Sequence, residues 1–286
     1  MKHTLKVTLI LTTLFFIAQM VGLAITDAYI DQAATETRGE VTWQELPTIA
    51  GMQVERPDLA PNISVWYISI ALLVGTLLIL VIIRFGKMFL WKLWFFLAIT
   101  LCLQIALAAF LPDWIALVLA ILLAILKLVK PNVITHNLTE LFIYGGLAVI
   151  FVPILNVVYA FVLLIILSGY DMYAVWRSKH MVHMAKFQAK SGIFAGLLFP
   201  YKIKGKGKRR GTVKTAVLGG GDIGFPLIFA GVVMKTTGYL DAVVVAVFAT
   251  LGLFALLYFS KKDRFYPAMP FLTIGCSLGY VVSLLV

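Results

Sequence analysis

The chain has 286 residues, of which 62% are hydrophobic and 13% charged. A soluble domain carries roughly 25% charged residues, so this composition excludes an ordinary soluble globular protein and points to a polytopic helical membrane protein. The net charge is +11, yet the lysines and arginines cluster at the ends of apolar runs, the pattern of membrane topology rather than of nucleic-acid binding.

A span needs about 20 mostly apolar residues. Nine segments qualify in chain order, at 5–25, 63–84, 88–109, 113–130, 137–154, 156–176, 213–235, 239–260 and 266–285. The fold class expected is therefore all-α, a single 286-residue unit of nine transmembrane helices. It divides into six spans over 1–176, an inner loop over 177–212 and three spans over 213–286. The first segment follows Lys2 and Lys6 as a signal peptide would. Its apolar core is long and no small-x-small cleavage site follows, so it reads as a retained span. Lysine and arginine bias fixes the orientation. With the N-terminus inside, the inner segments hold Lys2, Lys6, Arg84, Lys87, Lys92, Lys127, Lys130, the basic stretch from Arg177 to Lys214, and Lys261, Lys262 and Arg264. The outer segments hold only Arg38, Arg56 and Lys235. The first outer loop, 26–62, is acidic and ends in a glycosylation sequon, Asn62-Ile63-Ser64. The expectation is N-in, C-out.

The inner connection has two parts. Over 178–190, Met181, Met184 and Phe187 recur every third residue between Lys179, His180, Lys186 and Lys190, which fits a short amphipathic helix on the inner membrane face. The tract KIKGKGKRRG at 202–211 reads as a solvated loop held near anionic head groups. It has none of the aromatic interleaving that nucleic-acid binding would use. His180 and His183 lack a third ligand, and Cys102 and Cys276 lie within apolar spans, where they pack. No metal or cofactor is expected.

Two aspartates interrupt otherwise apolar spans: Asp171 in FVLLIILSGYDMYAVW and Asp222 in VLGGGDIGFPLIFAGVV. A carboxylate near the bilayer centre costs at least about 2.5–3.5 kcal/mol, and neither segment has a cation to offset it. Asp171 lies six residues before Arg177, and Asp222 eight after Lys214. At 1.5 Å per helical residue these are depths of roughly 9 and 12 Å. The sixth and seventh spans run antiparallel, so the two carboxylates lie at nearly one level. Two carboxylates a few ångströms apart cannot both ionise easily and hold one proton between them. The ionised member can take a proton from water while the protonated member hydrogen-bonds a scissile carbonyl.

The flanking residues fit such a site. Gly219, Gly220 and Gly221 before Asp222, and Gly224 after it, weaken the helix and admit another backbone. Pro226 kinks the helix. Pro267-Ala268-Met269-Pro270 keeps the start of the last span non-helical. Gly275 and Gly279 form a small-xxx-small packing pair. Thr212, Val213, Thr215, Val217 and Leu218 favour extended structure. The stretch 211–218 is thus either a strand that receives an unwound substrate or the first turns of the seventh span.

Tyr170-Asp171, Gly219-Gly220-Gly221-Asp222 and Pro267-Ala268-Met269, in that order and on those spans, resemble the YD, GxGD and PAL motifs of presenilin and signal peptide peptidase. The resemblance covers the whole chain, and its compact length is similar to the archaeal presenilin-like members. It implies intramembrane aspartyl proteolysis of transmembrane helical proteins in the cell membrane. Asp171 and Asp222 would be the catalytic pair, and Tyr170, Gly219, Gly220, Gly221, Pro267, Ala268 and Met269 would shape the substrate site. Met269 replaces the usual leucine, and the loop after the sixth span is shorter than presenilin's. The N-in orientation matches presenilin. The partners implied are transmembrane helical substrates and the lipid bilayer, not nucleic acid, and association into a homo-oligomer is left open.

Other readings compete. Prepilin-type peptidases carry GxGD but usually follow it with lysine, whereas Ile223-Gly224-Phe225 follows here. A proton-coupled transporter could use two acids as a relay, but the halves show no internal repeat. The first half also has no acid within a span beyond Glu140, near an inner edge. A catalytically silent assembly factor would carry the same sequence.

Overall fold

Long apolar runs bounded by Pro, Asn and Gly produce a helical bundle in the computed structural model, which describes residues 4–49, 51–85, 87–178, 194–203, 212–261 and 266–285. The helices are α1 Leu5–Ala28, α2 Gln32–Arg38, α3 Pro61–Arg84, α4 Met88–Ala108, α5 Asp113–Val129, α6 Val133–Phe151, α7 Val157–Tyr173, α8 Gly220–Thr237, α9 Tyr239–Phe259 and α10 Met269–Ser283. A π-turn, Ala174–Ser178, continues α7. Two antiparallel hairpins complete the described residues: β1 Thr48–Ile49 with β2 Met52–Gln53, and β3 Gly196–Ile203 with β4 Thr212–Gly219. Residues 179–193 and 204–211 lie outside the described residues. They hold most of the expected surface helix and basic tract, with His180 and His183.

Asparagine starts two of the helices. Asn132 Oδ1 accepts from Ile134 N at 3.1 Å and Asn156 Oδ1 from Tyr159 N at 2.9 Å, which satisfies N–H groups that have no helical acceptor. Among the described residues, six helices are long and apolar enough to cross a membrane: α1, α3, α4, α6, α7 and α9. The expected fourth span is the 17-residue α5 and the ninth the 15-residue α10. At 1.5 Å per residue they are about 26 and 22 Å long, short of the roughly 30 Å hydrocarbon core.

The expected seventh span, 213–235, needs correction. Its first residues are not helical. Thr212–Gly219 is a strand paired with Gly196–Ile203, and the helix begins only at Gly220. The inner loop therefore contributes a β-strand, and the class is helical with a small sheet. β3 is inconspicuous in sequence because it contains Pro200, which normally demotes a strand. Pro200 pairs with Thr215 at a position where both backbones turn away from the ladder, so the missing N–H costs no strand bond.

α8 occupies the centre. From Pro226 to Met234 every residue is buried, and α1, α6, α7, α9 and α10 surround it. A helix apolar on all sides belongs in such a position. α3 is the opposite case, largely exposed and packed mainly along α7 and α4. Two of the three cations that the sequence assigned to the outer side have structural work at the end of α6. Arg56 Nε donates to Val149 O at 3.2 Å, and Lys235 Nζ donates to Val152 O and Pro153 O, both at 3.0 Å. They satisfy carbonyls that the helix leaves unpaired.

α9 and α10 meet at glycine. A Cβ on Gly275 would lie 2.6 Å from Phe248 O, and one on Gly279 2.7 Å from Val245 Cα. The small-xxx-small pair is a packing device. Gly275→Val is expected to destabilise the detergent-solubilised protein by about 1–3 kcal/mol, read as a lower thermal unfolding midpoint. An unchanged midpoint would mean that the helices separate without cost.

Candidate active site

Asp171 is the third-last residue of α7, just before the π-turn, a distortion common at functional sites. Its Oδ2 accepts from Met269 N at 3.1 Å, and the Ala268 N–H is directed at the same carboxylate. Met269 is the first residue of α10, so the carboxylate sits on the positive end of that helix. Pro270 at the second position has no N–H to offer and loses nothing there. Residues 266–268 are non-helical, as expected, but Met269 and Pro270, expected to be non-helical with them, already belong to the first turn of α10, where a proline without an N–H is tolerated. The Pro-Ala-Met segment thus acts on Asp171 through its backbone, which explains why methionine can stand for leucine. Ser168 and Thr273 lock this arrangement one turn away, with their hydroxyls 2.8 Å apart between α7 and α10.

Asp222 is the third residue of α8, whose N-cap is Gly219. Its carboxylate turns back toward the Gly219 N–H, which is directed at it, in the manner of the half of a capping box that an acid at the third position supplies. Behind it, Gln19 Nε2 of α1 donates to Ile223 O at 3.0 Å and ties α8 to α1. Pro226, one turn on, has no N–H for the Asp222 carbonyl. Each carboxylate is therefore held by backbone donors at a helix N-terminus, and neither is neutralised by a salt bridge among the described residues.

Both aspartates line one cavity of about 270 Å³. Its floor is Tyr170 and Asp171 of α7 with Gly221 and Asp222 of α8. Met269 and Phe225 close one side, and Ser69, Leu72, Leu73 and Thr76 of α3 form the wall toward the bundle's exterior. The Ser69 hydroxyl is buried with no hydrogen-bond partner. Of the residues singled out from sequence, Tyr170, Gly221 and Met269 face the cavity. Gly219, Gly220, Pro267 and Ala268 do not line it; of these, Gly219 and Ala268 direct their N–H groups at Asp222 and Asp171. Such a cavity can admit a peptide and a water to two carboxylates while the rest of its wall stays apolar.

The hairpin leads directly into Asp222. Asn137 of α6 donates to Leu198 O at 2.8 Å and accepts from Leu198 N at 2.9 Å. Glu140 accepts from Gly196 N at 3.0 Å, and His136 Nε2 lies 2.8 Å from Gly196 O. Gly196 and Leu198 thus point their backbone groups at α6, and Leu197 and Phe199 point theirs at β4. By the pairing register, Thr215 and Val217 of β4 turn their N–H and C=O outward on the opposite edge. Among the described residues β4 has one strand neighbour, so this edge is open to another strand.

Sequence reasoning missed Lys127, His136, Asn137 and Tyr144, and used Lys127 only as a topology charge. The available signal was an opposite-charge pair, Lys127 and Glu140, at the facing ends of two helices joined by a three-residue turn.

The family described as Signal-peptide peptidase, presenilin aspartyl protease matches residues 44–286. No curated protein matches the sequence. A presenilin family intramembrane aspartate protease, solved in two crystal forms, has a similar fold. In the C222 form it is 21% identical, with 97% of this chain and 98% of that chain covered and a TM-score of 0.65. In the P2 form it is 21% identical, with 96% of each chain covered and a TM-score of 0.62.

Proposed function

Because the chain belongs to the signal-peptide peptidase and presenilin aspartyl protease family, and is an intramembrane aspartyl protease, we propose that Asp171 and Asp222 are its catalytic pair. One observation carries the assignment: both carboxylates open onto a single cavity walled by an exterior helix, with backbone N–H groups as their direct partners. In this reading the pair holds one proton. The ionised carboxylate takes a proton from water, and the resulting hydroxide equivalent attacks the scissile carbonyl. The protonated carboxylate donates its hydrogen bond, then its proton, to that carbonyl oxygen. Collapse of the tetrahedral species returns a proton to the leaving amine.

The substrate is a transmembrane helix of another protein. A helix hides its carbonyls, so the segment to be cut must unwind. Its exposed amides then need partners in a low-dielectric site. The open edge of β4, three to seven residues before Asp222, supplies a strand to pair with. The chain acts as one unit over 1–286, in the cell membrane, with nine membrane-crossing segments, N-in and C-out. The charge asymmetry of the loops supports this topology.

The test is hydrolysis of a synthetic membrane-spanning peptide by purified, detergent-solubilised protein, with products identified by mass. Two complementary fragments are expected. Absence of cleavage by folded protein, with proton uptake into reconstituted vesicles instead, would favour a transporter. The rate should follow a bell-shaped pH profile, falling on the acid side as both carboxylates protonate and on the alkaline side as both ionise. A rate flat across this range, with chemistry limiting, would contradict a shared proton.

A further inference from the structure

A second buried polar cluster lies outside the dyad, between α5 and α6. Lys127, Glu140 and Tyr144 are 5%, 1% and 5% exposed. Glu140 Oε1 accepts from Lys127 Nζ, and Oε2 accepts from the Tyr144 hydroxyl. Lys127 Nζ also donates to Thr139 Oγ1 at 3.0 Å. Removing two charges from water costs several kcal/mol per ion, and a well-packed apolar pair is often as stable. Stability alone is therefore a poor reason for this cluster, and what it holds is more informative.

It holds two objects. The first is the hairpin: the remaining bond of Glu140 Oε2 goes to Gly196 N, where β3 begins. Gly196 has φ +140°, and a Cβ there would lie 2.1 Å from Leu218 O, so β3 starts at a position that only glycine fills. The second is the turn that carries Asp222. The Tyr144 hydroxyl lies where a Cβ on Gly220 would come within 2.6 Å of it, and Gly220 N donates to Ala195 O at 3.1 Å. One carboxylate thus grips the first residue of β3 and, through Tyr144, the glycine two places before Asp222.

The relative height of the β4 edge and the Asp222 carboxylate decides which substrate bond meets the dyad. A strand advances about 3.3 Å per residue, so a shift of that size moves the cut by one residue. We propose that Lys127, Glu140 and Tyr144 are positioning residues that fix the hairpin against Asp222 and so select the bond that is cut. The proposal rests on Asp222 being catalytic and on β4 receiving the substrate.

The experiment compares wild type, Tyr144→Phe, the double variant Lys127→Met/Glu140→Gln and Asp222→Asn on one membrane-spanning peptide. Products are resolved by mass, and folding is checked by thermal unfolding. Tyr144→Phe removes one oxygen and leaves the ring in place, so it tests the proposal even if the double variant does not fold. The ratio of products from neighbouring bonds is expected to shift at least about threefold, with kcat falling roughly tenfold and KM changing less. Loss of stability alone would lower all products together. Unchanged product ratios in folded Tyr144→Phe, with Asp222→Asn inert, would overturn this proposal alone. Cleavage by Asp222→Asn would overturn the catalytic assignment and this proposal with it.

Discussion

Asp171→Asn and Asp222→Asn are each expected to reduce cleavage of a membrane-spanning peptide by at least about 10²–10⁴-fold, the span attributed to a positioned general acid or base. Asparagine keeps the shape and one acceptor oxygen. In Asp171→Asn that oxygen can still receive the Met269 N–H, and in Asp222→Asn the Gly219 N–H. What is lost is the ability to exchange a proton with water or with the leaving amine. Neither carboxylate has a cationic partner among the described residues, so its replacement strands no buried charge there, and a neutral amide is cheaper to keep from water than a carboxylate. Both variants should unfold at or above the wild-type temperature. Inactivity with unimpaired folding is the expected pair of results. Near wild-type turnover by either folded variant would remove the two-aspartate site.

The elements legible in the sequence were those governed by local chemistry. Apolar runs between Pro, Asn and Gly located the helices to within a few residues, because each must satisfy its own backbone; the exception is the seventh, whose expected first turns, 213–219, are a strand. The two aspartates were legible because an uncompensated acid in such a run is expensive. Pro267 and Ala268 were legible as non-helical because proline restricts the backbone around it, whereas Met269 and Pro270, expected to share that state, open α10. What stayed hidden depended on distant partners. The strand 196–203 was hidden because its outer edge is capped by Asn137, Glu140 and His136 of α6, some 60 residues away. Pro200 looked prohibitive until the register showed its nitrogen turned from the ladder. Arg56 and Lys235 counted as weak exceptions to the charge asymmetry, while in space both cap the end of α6. Lys127 counted as an inner charge, although it is buried against Glu140. A charge count reads topology and does not distinguish a solvated lysine from a paired one.

Val217→Pro separates strand addition from the dyad itself. Val217 pairs opposite Leu198, whose backbone groups both go to Asn137 of α6, so the Val217 N–H points away from β3 toward the open edge. Proline there removes no bond from the hairpin. Its fixed φ suits extended backbone, and it favours extended geometry at Ala216 before it, which is already in the strand. The side chain of Val217 is 49% exposed, so the ring displaces little packing. The folded protein should therefore tolerate the change. An unwound substrate loses one donor on the β4 edge, and its carbonyl then stays unpaired in a site that excludes water. Such a group costs about 1–3 kcal/mol, which corresponds to roughly 5- to 150-fold in kcat/KM. Val217→Ala, which keeps the N–H, should stay near wild type and shows that the backbone is responsible. The loss should be larger for transmembrane peptides, which must be held unwound, than for short flexible peptides that reach the dyad without pairing. Equal cleavage of transmembrane peptides by Val217→Pro and wild type would exclude this edge as the docking strand and leave the two aspartates untouched.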